Sequence, residues 1–258
     1  MMEEKELIQR IIGKKEFSQL PELDVKLALG KFEKRQVGDE EKIRLTRELL
    51  HKVFSSFTSH KLLSPKNKPR EWILRKHLST RERLPYYSQI YSRILKNFNG
   101  RISLIDFGAG INGFSYCFFE ESGVKVDYTG IESVGQLVNL TNDYFKKEKI
   151  SGKAIHLSLF EIGELKKLIK KTEEPRIIFI FKTFDSLEMI RENYSLELIK
   201  EISPLGNLIV ISFATRSMIS KKPFKAKRNW IIEFINQNYK IKDDFELGNE
   251  RYICFTQK

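Results

Sequence analysis

The sequence is poor in cysteine and has no long apolar segment. Its two cysteines, Cys117 and Cys254, lie far apart in the chain, so neither a disulfide framework nor a cysteine zinc site is predicted. The longest apolar runs, residues 177–181 and 208–214, are too short to span a bilayer. The N-terminus lacks the basic and then apolar pattern of a secretory signal. We expect a cytoplasmic protein with no membrane association and no metal.

Acidic residues are scarce in one part of the chain. The formal net charge is +12, but residues 1–50 are neutral, with 11 basic and 11 acidic side chains. Residues 51–100 hold 11 basic against 2 acidic side chains, and residues 101–258 hold 24 against 21. Such a local excess is typical of a surface that binds phosphates. The alternative is the solvated surface of a generally basic protein.

Before residue 100 the apolar residues recur at helical intervals. The segments 3–12, 20–32 and 39–57 predict helices, and the acidic residues 39–41 suit a helix N-terminus. Residues 64–70 form a basic linker that contains proline. A further helix is expected from near Thr80 to Phe98, with Ser79 or Thr80 as its N-cap. We therefore predict a helical, basic, RNA-binding domain over residues 1–98.

After residue 100 strands and helices alternate. Strands are expected at 101–108, 124–133, 153–159, 176–184 and 207–214, separated by helices at 113–122, 134–149, 164–171 and 195–202. Several strands are continuously apolar, as in sheets covered on both faces. Residues 239–257 predict an antiparallel hairpin around a Gly-Asn turn. Residues 99–258 are thus expected to form an α/β, Rossmann-like domain with a mostly parallel seven-stranded sheet.

The first strand leads into a glycine loop, DFGAGING (106–113). Gly108, Gly110 and Gly113 permit a tight turn and close approach by a ligand, and Glu132 follows the second strand, where a carboxylate can accept ribose hydroxyls. An NAD enzyme and an S-adenosylmethionine (SAM) methyltransferase both fit, as does a loop shaped for the turn alone. Asp106 before the glycines, the terminal hairpin and the lack of a second dinucleotide-binding half favour SAM.

Four segments together resemble one family. HLSTRERL (77–84), DFGAGIN (106–112), IFKTFDSLE (180–188) and SFATRS (212–217) are similar to the aminoglycoside-resistance 16S rRNA guanine-1405-N7 methyltransferases. Residues 47–57 resemble that family's helical N-terminal domain, so the resemblance covers nearly the whole chain. Gly113 stands where the family usually has Pro, Glu132 where it has Asp, and no acidic residue occurs at 157–160. These departures indicate a distant member.

The resemblance implies roles for particular residues. Arg81 would bind the carboxylate of SAM, because a guanidinium can take both oxygens, although HLSTRERL could also serve only to cap a helix. Lys182 matches a family lysine at the edge of the site, or is a lysine that merely ends a strand. The full set of predicted cofactor-binding residues is His77, Ser79, Thr80, Arg81, Asp106, Gly108, Gly110, Asn112, Glu132, Ser158 and Lys182, with Ser158 replacing the missing acid near the adenine.

The implied reaction asks for positioning rather than for a general base. Guanine N7 already carries a lone pair, so no catalytic residue is predicted. The SFATRS segment should face the substrate, and the acid-free segment after it offers Phe224 and Trp230 for stacking, unless it is only a mobile basic loop with both rings buried. The predicted RNA-binding residues are Arg70, Arg75, Lys76, Thr215, Arg216, Ser217, Lys221, Lys222, Lys225, Lys227 and Arg228.

Three functions are therefore weighed. The first is a SAM-dependent methyltransferase that modifies N7 of a guanine in 16S rRNA, acting as a monomer on the small ribosomal subunit, for antibiotic resistance or for routine maturation. The second is a noncatalytic RNA-binding protein that keeps a degenerate SAM fold. The third is an NAD-dependent oxidoreductase. SAM binding and methyl transfer to small-subunit particles discriminate among them.

Overall fold

A computed structural model describes residues 2–55, 59–63, 68–215 and 228–258 of the chain. Within these ranges no helix is both long enough and apolar enough to cross a membrane. The described α-helices are α1 Glu4–Ile12, α2 Glu22–Gly30, α3 Asp39–Leu50, α4 Arg70–Leu74, α5 Leu78–Arg83, α6 Tyr87–Leu95, α7 Cys117–Glu120, α8 Gly135–Glu148, α9 Ile162–Lys170, α10 Phe184–Ile190, α11 Tyr194–Ile202 and α12 Asn229–Asn238.

The described residues form a seven-stranded sheet at the centre of the molecule. Its strands are β1 Arg101–Phe107, β2 Lys125–Glu132, β3 Gly152–His156, β4 Arg176–Phe181, β5 Leu208–Ala214, β6 Tyr239–Leu247 and β7 Glu250–Gln257. The strand order is β3-β2-β1-β4-β5-β7-β6. The first five strands run parallel, and β7 pairs antiparallel with both β5 and β6. This confirms the predicted α/β fold with its antiparallel terminal hairpin.

Both faces of the sheet are covered, which explains the unbroken apolar strands. In β4, Ile177 and Phe179 pack into one apolar cluster, while Ile178 and Ile180 pack into a second cluster on the other face. The first cluster also contains side chains from α1, α2, α3 and α6. The N-terminal helices therefore share a hydrophobic core with the sheet. The predicted division into domains at residue 98 stays a prediction.

The chain departs locally from the predicted elements. The helix expected from Thr80 to Phe98 is two helices, α5 and α6, because Pro85 has no N–H to continue a helical ladder. The N-cap of α5 is His77, with no side-chain capping bond, rather than Ser79 or Thr80. Segment 113–122 contains only a 3₁₀ turn and the short α7, and α10 and α12 were not predicted.

Candidate active site

A cavity of about 100 Å³ lies at the carboxyl ends of the central parallel strands. Open α/β sheets bind their ligands at this edge, beside the point where the strand order reverses. Here that point lies between β1 and β4. The lining brings together residues from six parts of the chain: Val53, Phe54, His77, Ser79, Gly108, Gly110, Glu132, Ser133, Leu137, Leu159, Phe160, Phe181, Lys182, Thr183, Ser186, Leu187 and Ile190.

Two glycines of the loop after β1 form one wall of the cavity, and neither position has room for a side chain. Gly108 and Gly110 have φ values of +67° and +53°, in the region that L-residues rarely adopt. A Cβ atom on Gly108 would lie 2.7 Å from Oγ1 of Thr183. A Cβ atom on Gly110 would lie 3.2 Å from Nε2 of His77. The glycines thus let the loop pack tightly against α5 and the β4–α10 turn.

Glu132 joins β2 to this loop. Its Oε2 accepts a hydrogen bond from the N–H of Gly110 at 2.7 Å, and its Oε1 accepts one from the N–H of Val134 at 2.8 Å. Burial raises the pKa of Glu132, the two N–H groups lower it, and the charge of Asp24 raises it further, with a net increase. Each oxygen keeps a second lone pair, so the carboxylate can still accept hydroxyl groups of a ligand.

Asp106 and Asn112 support the loop from behind and do not line the cavity. Asp106 is buried, and its Oδ2 accepts hydrogen bonds from Nδ2 of Asn112 at 2.8 Å and from the hydroxyl of Tyr128 at 2.7 Å. Oδ1 of Asn112 accepts one from the hydroxyl of Tyr87 at 2.8 Å. Since these polar groups form hydrogen bonds within the protein, both residues stabilise the conformation of the loop.

The HLSTRERL segment divides its side chains between the cavity, the core and the solvent. His77 and Ser79 line the cavity, while Thr80 is buried and donates a hydrogen bond to the carbonyl of Leu74 at 2.6 Å. Arg81 is exposed and lies off the cavity. The prediction that Arg81 closes over the methionine end of the cofactor therefore does not match its position. Its neighbour two residues on, Arg83, faces the opposite way and is buried.

Among the described residues, Lys182 rather than Arg81 is the cation that lines the cavity. Its Nζ lies 2.8 Å from Oε2 of Glu82 and 2.9 Å from Oε2 of Glu250. Glu250 also pairs with Nε of Arg83 at 3.0 Å and accepts a hydrogen bond from Ser212. Sequence reasoning missed Arg83 and Glu250. HLSTRERL contains both arginines, but nothing in it shows which one turns inward, and Glu250 lies in the distant hairpin.

His77 is not suited to act as a base. Burial lowers the pKa of its imidazole to about 3, and the charges of Arg83 and Lys182 contribute to the decrease. The ring is therefore neutral at physiological pH and accepts a proton poorly. Its Nδ1 is buried and has no hydrogen-bond partner within the described part of the chain. A neutral ring with an unused nitrogen suits contact with a ligand rather than proton transfer.

Ser158 also lies just outside the cavity lining. Its Oγ accepts a hydrogen bond from the N–H of Phe160 at 3.0 Å and donates one to the carboxylate of Asp24 in α2. Leu159 and Phe160, which follow it, reach the cavity. Sequence reasoning missed Asp24, because it precedes Ser158 by 134 residues and belongs to the N-terminal helices.

Comparison with known proteins decides the family. Residues 69–240 match the model of the ribosomal RNA methyltransferase (FmrO) family, and this range includes every cavity residue from His77 to Ile190. The chain belongs to that family. The FmrO assignment agrees with the family resemblance seen in the sequence.

One curated relative and several solved structures are similar to this FmrO family member. A 16S rRNA (guanine(1405)-N(7))-methyltransferase of Proteus mirabilis is 27% identical over 197 residues, which are 72% of this chain and 64% of the relative. The match thus spans just under two thirds of the relative. The 16S rRNA methyltransferase RmtF, solved with S-adenosyl-L-homocysteine, has a TM-score of 0.78 at 16% identity over both full chains. The 16S rRNA methylase RmtB has 0.75 at 17% identity, also over both full chains. These likenesses confirm the fold.

The predicted RNA-binding residues of the FmrO chain are placed unevenly. Arg75 is exposed, while Arg70 pairs with Glu71 at 2.5 Å and stacks on Phe118. Lys76 lies over the ring of Trp72, 5.0 Å from its centroid. The residues that fall outside the described ranges are Arg216, Ser217, Lys221, Lys222, Phe224, Lys225 and Lys227.

Thr215 and Arg228, on either side of that gap, make contacts within the fold, and their contact with RNA stays a prediction. The N–H of Thr215 donates to the carbonyl of Asn249 at 2.9 Å, which continues the sheet past β5. The largely buried guanidinium of Arg228 donates to Asp185 at 3.0 Å and to the carbonyl of Ala214 at 2.7 Å. Arg228 therefore ties the start of α12 to α10 and β5. Trp230 is partly exposed rather than buried.

Proposed function

We propose that this FmrO family member is a SAM-dependent methyltransferase that modifies N7 of a guanine in 16S rRNA near the decoding site. The observation that carries the proposal is the cavity, where two left-handed glycines, a carboxylate and a lysine meet at the ligand-binding edge of the sheet. The named activity of the Proteus mirabilis relative and the ligand of RmtF support the same chemistry. The protein is expected to act as a cytoplasmic monomer on the small subunit, where its product confers aminoglycoside resistance.

Several buried polar atoms around the cavity have no partner within the described residues and fit the polar ends of SAM. They are Nη2 of Arg83, Nδ1 of His77 and Oδ2 of Asp24. Lys182, with Arg83 behind it, would hold the carboxylate of the cofactor, and Glu132 would accept the ribose hydroxyls. Leu159 and Phe160 offer an apolar wall for the base. The bound cofactor supplies an electrophilic methyl group next to a sulfonium.

The protein's own part in the reaction is to bind and orient. Guanine N7 attacks through its lone pair, so no side chain needs to remove a proton before transfer. The neutral His77 agrees with this requirement. The glycine loop and the α5 helix fix one side of the cavity, and α10 fixes the other with Ser186, Leu187 and Ile190. Alignment of the two reacting atoms in a site that excludes water can supply most of the acceleration.

Methyl transfer to ribosomal particles tests the proposal directly. Purified protein, labelled SAM and small subunits from a susceptible bacterium should yield label in 16S rRNA, and mass spectrometry should place it on N7 of a guanine at the decoding site. RNA binding without label would support a noncatalytic RNA-binding protein instead. Binding of NAD with no affinity for SAM or S-adenosylhomocysteine would support an oxidoreductase. Cells that express the protein should also tolerate higher aminoglycoside concentrations.

Two basic residues beside the cavity are expected to bind RNA. Arg75 and Lys76 directly precede the cavity residues His77 and Ser79, in the part of the chain with the largest basic excess. The double variant R75E/K76E should bind small-subunit RNA at least about tenfold more weakly. Each lost phosphate contact reduces the number of counterions released on binding, and this release favours binding. The variant's affinity for S-adenosylhomocysteine should remain at the wild-type value.

The variant K240E/K242E is a matched control for this experiment. It changes the net charge equally, but both lysines are exposed on β6 at the far edge of the sheet. Calorimetry for the cofactor product and filter binding for RNA give the two affinities. Equal RNA affinities for the two double variants would contradict a local RNA-binding role for Arg75 and Lys76.

A further inference from the structure

Asp24 is a buried carboxylate with one oxygen that no hydrogen bond of the described residues satisfies. It lies in the N-terminal helix α2 and is fully buried. Its Oδ1 accepts a hydrogen bond from Ser158. Its Oδ2 is also buried, but accepts no hydrogen bond within the described part of the chain. A buried acceptor with no donor costs free energy, so a donor that arrives with a ligand would explain it.

Asp24 does not itself line the cavity, but it contacts the segment after β3 that does. Its partner Ser158 immediately precedes Leu159 and Phe160, which line the cavity. Ser133, another lining residue, lowers the pKa of Asp24 through its hydroxyl, as Ser158 does. The charge of Asp24 also raises the pKa of Glu132. Helix α2 packs against α10, which closes the same end of the cavity.

The hydrogen-bond donor that a ligand brings to Oδ2 of Asp24 must come from the part of the ligand that reaches this end of the cavity. Glu132 marks the ribose end of the cavity in the proposed function, so the groups beyond it belong to the nucleobase. Adenine presents an exocyclic amino group there, which donates hydrogen bonds, whereas hypoxanthine presents a carbonyl oxygen, which accepts them. An ionised carboxylate attracts the first and repels the second.

We propose that Asp24, contributed by the N-terminal helices, determines the nucleobase specificity of the cofactor site by accepting a hydrogen bond from the adenine amino group. This assignment rests on the proposed function, since it presumes a SAM site. Ser158 then acts as a positioning residue, because its hydroxyl fixes Oδ1 and leaves Oδ2 for the base. The helical region thereby takes part in cofactor binding as well as in RNA recognition.

Calorimetry with S-adenosylhomocysteine and S-inosylhomocysteine tests the assignment without any methyl transfer. The wild-type protein should bind the adenine compound at least about tenfold more tightly, as expected for a hydrogen bond to a charged group. In D24N the adenine compound should lose about tenfold in affinity. The inosine compound should gain affinity, because the asparagine amide can donate to its carbonyl. The variant should therefore lose or reverse the wild-type preference for the adenine compound over the inosine compound.

D127N is the matched control, because Asp127 lies near the start of β2, at the opposite edge of the sheet, and pairs with Arg101. It should keep the wild-type preference. If D24N does not fold, the ratio of the wild-type affinities for the two compounds still tests the proposal. Equal affinity for both compounds overturns it. An unchanged preference in folded D24N overturns it as well, while the SAM site stands. If the wild-type protein binds neither compound, the proposed cofactor is wrong and the assignment of Asp24 falls with it.

Discussion

Replacing Glu250 with alanine should lower the free energy of unfolding by about 3–5 kcal/mol, the cost of breaking a buried ion pair by removing one partner. Both cations that Glu250 neutralises, Arg83 and Lys182, have side chains no more than 5% exposed. Glu82 remains beside Lys182, but Arg83 would keep no carboxylate partner among the described residues. Because Lys182 lines the cavity, affinity for S-adenosylhomocysteine should fall together with stability.

The same network should make the protein sensitive to acid. Burial alone would raise the pKa of Glu250, but the charges of Arg83 and Lys182 hold it below its ordinary value of 4.5. A carboxyl whose pKa is lower in the folded state stabilises the protein above its unfolded pKa, and this contribution is lost as the pH falls through the folded pKa. The difference in stability between wild type and E250A should thus be full at pH 7 and shrink below about pH 4.5.

Denaturant unfolding followed by circular dichroism at several pH values measures both the loss of stability in E250A and its dependence on pH. E246A is the matched control, since Glu246 is exposed on β6 of the same hairpin. Its effect should stay within about 0.5 kcal/mol, as for most surface substitutions. A loss in E250A no greater than that of E246A would contradict the assigned role of the Glu250 network.

The elements of the α/β region followed from the sequence because their signals are local. Continuous apolar runs such as 177–181 mark strands buried on both faces, and Gly108 with Gly110 marks a turn that only glycine adopts easily. Which side chains of HLSTRERL face inward and which face the solvent was not predictable in the same way. Which arginine turns inward depends on where α5 begins, and it begins at Leu78 with His77 as its cap.

The interactions that complete the site join distant parts of the chain. Arg83 meets Glu250 across 167 residues, Lys182 meets Glu82 across 100, and Asp24 meets Ser158 across 134. No periodicity or local motif encodes such pairs, since each depends on how the N-terminal helices and the terminal hairpin pack on the sheet. The helices before residue 98 are consequently structural neighbours of the cavity, which the sequence predicted for the HLSTRERL segment but not for Asp24 in α2.

Replacing Asp24 with asparagine should have the opposite effect on stability to the loss of Glu250. Burial raises the pKa of Asp24 from 3.8 to about 6, against the smaller lowering effect of Ser158 and Ser133. The folded state therefore holds a proton more tightly than the unfolded state, and stability falls as the pH rises from about 4 to 6. At pH 8 the ionised carboxylate costs about 3 kcal/mol, at 1.36 kcal/mol per pKa unit.

D24N should thus be more stable than the ligand-free wild type by up to about 3 kcal/mol at pH 8, and the gain should vanish near pH 4. Unfolding at both pH values, with D127N as control, measures the gain. A variant less stable than wild type at pH 8 would mean that the charge of Asp24 is structural. A gain in stability joined to a loss of adenine affinity would instead identify a charge kept for its ligand, because a purely structural residue has no reason to destabilise the empty protein.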